Sequence, residues 1–153
     1  MTATKTDPQN LVRHFKDYGW DGVDVLAYKQ GGPYQGVTRQ ILFEGQDALP
    51  AQWRYFEVEP GGHSTLERHA HLHNVLILRG RGQCLVGDEI HDIGEHDLIH
   101  VPSLAWHQFR AAADAPLGFL CLVAAERDRP QLPEAKDLDA LRRTPAVAAF
   151  IKP

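Results

Sequence analysis

Between Pro60 and Gly82 the chain reads PGGHSTLERHAHLHNVLILRGRG, and Glu67, His69, His71 and His73 fall on every second position. Alternate side chains of an extended strand share a face. Imidazoles and a carboxylate gathered on one face make a donor set for a divalent transition ion such as Fe, Mn, Ni, Cu or Zn. Eight of the nine histidines lie between His63 and His107. Two ligands on alternate positions of a strand can hold one ion with a third from the next strand, and a fourth must come from a distant segment. His107, in Pro102-Ser-Leu-Ala-Trp-His-Gln-Phe, follows a proline turn and opens another apolar segment, so it is the natural distant donor.

Positioning these groups falls to many short strands. The patterning predicts strands over Val23–Tyr28, Val37–Phe43, Trp53–Glu59, Ser64–His69, Val75–Arg79, Gln83–Val86, Leu98–Val101, His107–Arg110 and Leu117–Val123. Turn signals separate them at Gly31-Gly32-Pro33, Gly61-Gly62, Gly80-Arg-Gly82, Gly87-Asp88 and Pro102-Ser103. Gly80 and Gly82 are expected at turn positions with positive φ. Close spacing of this kind indicates a sandwich or barrel. Asp7-Pro8 reads as a helix start, with a short helix or turn running to about Tyr18. After Arg129 the pattern becomes helical, with Leu138 and Leu141 three apart and Thr144-Pro145 opening a second short helix through Val147 and Phe150-Ile151.

At 153 residues the chain suits one domain, with a barrel over about 23–125 and a helical tail over about 130–153. A net charge of −4 and the lack of a basic stripe argue against nucleic acid. No apolar run approaches the roughly 20 residues of a membrane span. The N-terminal segment lacks a signal-peptide core, so the expected location is cytoplasmic. Cys84 and Cys121 sit in apolar segments and read as buried thiols.

The spacing around the histidines resembles the first motif of the cupin superfamily, whose fold is a double-stranded β-helix, an all-β jelly-roll barrel. That motif is Gly, five residues, His-x-His, three or four residues, Glu, six residues, Gly. Here it reads Gly61, Glu67, His69, His73 and Gly80, with every interval kept and the carboxylate moved to the first ligand position. The second motif falls on His96, Pro102, Leu104, His107 and Ala111; only Pro102 and His107 agree, and two glycine positions carry His96 and Leu104. The resemblance implies one divalent metal held by Glu67, His69, His73 and His107. His71 then lies in the turn between strands, at the pocket or behind the ligands. His100, Phe109 and Tyr55 are further candidates to line the pocket.

Three neutral imidazoles and one carboxylate leave a local charge of +1 around a divalent ion, which suits an anionic or enolate-like small molecule. The leading expectation is an oxidoreductase or dioxygenase acting on a small oxygen-containing compound, with Glu67 as ligand and proton acceptor. A non-enzymatic metal- or small-molecule-binding protein is the alternative. A sugar isomerase-like protein ranks lower, because among the basic residues near the barrel strands only Arg54, Arg68, Arg79 and Arg110 could form a phosphate patch. Homodimerisation is expected from the family habit, the apolar strand edges and the tail.

Overall fold

The computed structural model describes residues 11–153. Ten strands and two short helices follow in order: β1 Phe15–Lys16, β2 Gly19–Trp20, β3 Leu26–Ala27, β4 Gln35–Phe43, β5 Ala51–His63, β6 His73–Val86, β7 Glu89–Gly94, β8 Leu98–Val101, β9 His107–Ala111, β10 Leu117–Ala124, α1 Ala135–Leu141 and α2 Pro145–Phe150. The main sheet closes on itself. β10 pairs with β6, β6 with β9, β9 with β5, and β5 again with β10, all antiparallel. Closure removes the free edges that an open sheet would present.

Period-two patterning makes the barrel. Along β10, Leu117, Phe119, Cys121 and Val123 are buried on one face. They meet Val37, Phe56, Val58, Val75, Ile77, Val101 and Phe109 in one core. A second core lies where the tail packs on the barrel, with Leu141, Val147, Phe150 and Ile151 against Leu66 and Leu85. The tail is also tied by polar contacts. The Gln108 amide donates to the carbonyl of Lys152 at 2.9 Å and accepts from its N–H at 2.9 Å. In α1 the Glu134 N–H donates to the Asp137 carboxylate at 2.9 Å.

The structure corrects the expected chain course at several places, among them the Gly61-Gly62 turn, which lies inside continuous β5, and Val23–Tyr28, of which only Leu26–Ala27 is a strand. Leu11–Tyr18 is not helical; β1 and β2 form a hairpin whose turn residues, Asp17 and Tyr18, have φ of 50° and 58°. That backbone suits a two-residue hairpin turn and excludes a right-handed helix there; the Asp7-Pro8 signal itself lies outside the described residues. Ser64–His69 is not a strand but an irregular segment carrying two isolated bridges, Glu67 to His107 and Arg68 to Gln131. The two strands expected on either side of Gly80-Arg-Gly82 are one continuous strand, β6. Gly80 has the positive φ expected of it, 71°, whereas Gly82 does not. Both glycines answer to a neighbouring backbone rather than to a turn. A Cβ on Gly80 would lie 1.8 Å from the Pro116 carbonyl oxygen, and one on Gly82 would lie 2.0 Å from that of Arg110. Finally, β7 follows the Gly87 turn with a mostly exposed sequence that carries little apolar signal.

Candidate metal centre and cavity

Three imidazoles converge at one end of the barrel. His69 leaves the irregular segment, His73 opens β6, and His107 opens β9 opposite Glu67. One nitrogen from each lies within 4.8 Å of the others. His69 and His73 face each other through Nε2 atoms 2.7 Å apart. The outward nitrogens are engaged: His69 Nδ1 donates to the His71 carbonyl at 2.6 Å and His107 Nδ1 to the Ala105 carbonyl at 3.0 Å. A proton fixed on Nδ1 leaves the Nε2 lone pair pointing inward, as metal ligation requires. The Nε2 atoms of His69 and His73 and one nitrogen of His107 gather at a common point, where an ion could take a lone pair from each. The donor set therefore fits a divalent transition ion.

The other sequence candidates separate by position. Glu67 is buried beside this group, and its carboxylate contacts Lys29 Nζ. His71 lies in the bend before β6, its ring parallel to that of His69 with centroids 3.6 Å apart. Its Nδ1 donates to Asp128 at 2.7 Å, and Asp128 also accepts from the N–H groups of Ala70 and His71. Those backbone bonds hold the Asp128 carboxyl well below the usual range. Phe109 lines the cavity. Tyr55 does not: it is fully buried on the opposite face of β5, under Tyr18 and Trp20, with its hydroxyl on Glu57. The period of the strand turns Arg54 and Phe56 to the cavity instead. His100 is exposed on β8 and bonds Asn74 at 2.8 Å, away from the cavity. His96 and Leu104, which replace the glycines of the second motif, take φ of 75° and 61°, so the loop geometry survives without glycine.

The cavity holds about 410 Å³. Phe56, Phe109, Phe119, Val37 and Val75 supply apolar walls, and Cys121 places its sulfur 2.8 Å from His73 Nδ1. Among the described residues five Lys and Arg side chains line it: Lys29, Arg39, Arg54, Arg127 and Arg129. Of the four arginines considered from sequence, only Arg54 is among them. Arg68 lies over Trp106, Arg79 pairs with Glu57, and Arg110 donates to the Phe150 carbonyl. The missed cations come from segments before and after the histidine motifs, where no spacing rule points to them.

Comparison with known proteins bears on this arrangement. Residues 54–123 match the family model described as Cupin domain. Over 136 residues, spanning 88% of this chain and 86% of the relative, the sequence is 57% identical to a Rhodospirillum rubrum protein named 1-methylthio-D-xylulose 5-phosphate methylsulfurylase. The chain belongs to the cupin family. The fold of this cupin superposes on a cupin 2 conserved barrel domain protein from Rhodopseudomonas palustris with a TM-score of 0.88 and 54% identity, covering 93% of this chain and 99% of the other. A cupin-2 domain from Rhodospirillum rubrum gives 0.83 and 54%, covering 93% and 96%. Among the described residues of the cupin, no helix is long and apolar enough to cross a membrane.

The histidines of the cupin also set a pH dependence. Burial pushes the His107 imidazole down to about 4, against the opposing pull of the Ala105 carbonyl and Glu67. Burial also lowers His73, assisted by His107 and His69. In the unfolded chain these groups take up protons near pH 6.5, whereas in the fold they stay neutral to lower pH. The unfolded state therefore binds more protons between about pH 6.5 and 4, and stability falls as pH falls through that window. His107 alone accounts for roughly 3 kcal/mol by linkage. Thermal unfolding of the metal-free protein between pH 7 and 4.5 is expected to show a steadily falling midpoint, and a flat midpoint would refute the assignment.

Proposed function

We propose that this cupin is a metal-dependent enzyme that removes the methylsulfanyl group from C1 of a 1-methylthio ketose phosphate and passes it to a thiol. The observation that carries the reading is the placing of three convergent imidazoles and the Cys121 thiol on one cavity wall. The relative named for action on 1-methylthio-D-xylulose 5-phosphate supports the choice of substrate.

The bond between C1 and sulfur lies next to the C2 carbonyl. Cleavage that leaves the electron pair on C1 requires a soft nucleophile to take the sulfur, and a thiol is that class of reagent. The thiol becomes a methyl mixed disulfide and is oxidised; C1 becomes a methyl group and is reduced. One proton leaves the thiol and one arrives at C1, so atoms and electrons balance. His69, His73 and His107 would hold a divalent ion, which would supply Lewis-acid charge for a substrate oxygen. Glu67 is the proposed fourth donor and the acceptor of the thiol proton, with Lys29 holding its carboxylate in place. Burial pushes the Cys121 thiol up, which keeps it protonated, and its position on the cavity wall makes it the proposed proton source for C1. The apolar walls suit the methylthio group and exclude water from the reacting carbon.

The test is incubation of metal-loaded protein with 1-methylthio-D-xylulose 5-phosphate and a low-molecular-weight thiol. The expected products are 1-deoxy-D-xylulose 5-phosphate and the methyl mixed disulfide in equal amounts. Unchanged sugar with every divalent metal tried sinks the reading. Oxygen uptake with the methylthio group retained moves the assignment to the dioxygenase expected from the donor set.

A further inference from the structure

We propose that Arg39, Arg54 and Arg127 form a subsite that binds the phosphate dianion of a sugar phosphate and fixes which end of the sugar faces the imidazoles. The inference deepens the proposed function and rests on it only in naming the sugar that carries the phosphate.

Arg39 on β4, Arg54 on β5 and Arg127 after β10 all line the one cavity. Their known partners are neutral. Arg39 Nε donates to the Ala27 carbonyl at 3.1 Å, Arg127 Nη1 to the Ala124 carbonyl at 3.0 Å, and Arg54 Nη2 approaches the Cys121 sulfur at 3.7 Å. The Arg54 guanidinium also lies over the Phe56 ring at 4.9 Å, and its Nε is buried without a partner. Among the described residues none of the three enters an ion pair. The two carboxylates of the cavity are committed elsewhere, Glu67 to Lys29 and Asp128 to His71 and the bend before β6. Burial first, and then repulsion from Arg54 and Arg39, lowers the Arg127 guanidinium. Three cations line one cavity, and among the described residues no carboxylate pairs with any of them, which makes a site for a multiply charged oxyanion. Planar guanidinium groups match the oxygens of a phosphate monoester. Arg54 also touches the Cys121 sulfur, so the subsite adjoins the metal centre and a sugar of a few carbons can reach both.

Calorimetric titration with D-xylulose 5-phosphate, D-xylulose and inorganic phosphate tests this without turnover, since none of them carries a carbon–sulfur bond. The wild-type protein is expected to bind the phosphate ester at least 30-fold more tightly than the free sugar. The double variant Arg39→Gln/Arg127→Gln is expected to lose most of that difference at unchanged metal content and unchanged near-ultraviolet circular dichroism. Arg39→Lys/Arg127→Lys, which retains both charges, is expected to recover part of it and guards against a variant that misfolds. Equal affinity for sugar and ester, or a glutamine variant that binds the ester like the wild type, overturns the subsite. If the ester binds through these arginines while the methylthio sugar is never processed, the subsite stands and the proposed reaction falls. If the methylthio sugar is processed equally by wild type and glutamine variant, the reaction stands and the subsite falls.

Discussion

His69→Ala is expected to empty the metal centre, lowering affinity for a divalent ion by at least about 100-fold and turnover by about 1,000-fold. Losing an outer partner of a ligand typically costs 10–100-fold, and losing the ligand itself costs more. His69 is the most enclosed of the three imidazoles, with 1% of its surface exposed, and it faces both His73 and His107. His71, the spare imidazole stacked on it, is held against Asp128. Metal content by mass spectrometry of the purified variant, read beside its circular dichroism, separates loss of the ion from loss of the fold. The companion variant His71→Ala is expected to keep its ion. A His69→Ala protein with a full complement of metal would remove the three-imidazole centre from consideration.

Gly80→Ala is expected to be the most damaging conservative change in the barrel, at about 3–5 kcal/mol, or a fall in melting temperature of about 10 °C or more. Two effects combine there. The backbone sits at φ 71°, where an L side chain costs about 1 kcal/mol, and the new methyl would lie 1.8 Å from the Pro116 carbonyl oxygen. Pro116 immediately precedes β10, which pairs with β6 and β5, so the strand cannot withdraw without opening the barrel. Gly87 provides the control: its φ is 68°, with nothing within 4 Å of the added atom. Gly87→Ala is therefore expected to cost only the conformational part, about 1 kcal/mol. Equal midpoints for the two variants would show that the close approach carries no weight.

The convergence of three imidazoles was legible because ligation constrains both residue type and interval. His69 and His73 keep their intervals between Gly61 and Gly80, and His107 stands out by its proline turn; Glu67 keeps its interval too, but its carboxylate pairs with Lys29 beside the three imidazoles. Gly80 was legible as a positive-φ residue but not as a point of close approach, since the carbonyl it makes room for lies on another strand. The remaining cavity was hidden for a related reason. Which face of β5 turns inward depends on what covers its other face. The β1–β2 hairpin buries Tyr55 from outside, so Arg54 and not the larger aromatic faces the ligand space. Lys29, Arg39, Arg127 and Arg129 enter the cavity from segments joined only by barrel closure. The expected N-terminal helix failed where Asp17 and Tyr18 adopt a left-handed turn that their residue types signal only weakly.

The long strand β6 has a bearing on how the molecule is born. It pairs with β7, β8, β9 and β10, three of which follow it only after intervening loops or strands. Such pairings give a barrel high relative contact order, and proteins of this kind fold in milliseconds to seconds rather than microseconds. During synthesis His69 and His73 leave the ribosome well before His107 and before β10 can close the barrel. A nascent chain therefore presents an incomplete donor set and has little hold on an ion. An ion held by the three imidazoles would be captured after closure, and would act mainly by slowing the barrel's opening while leaving the speed of its formation largely unchanged.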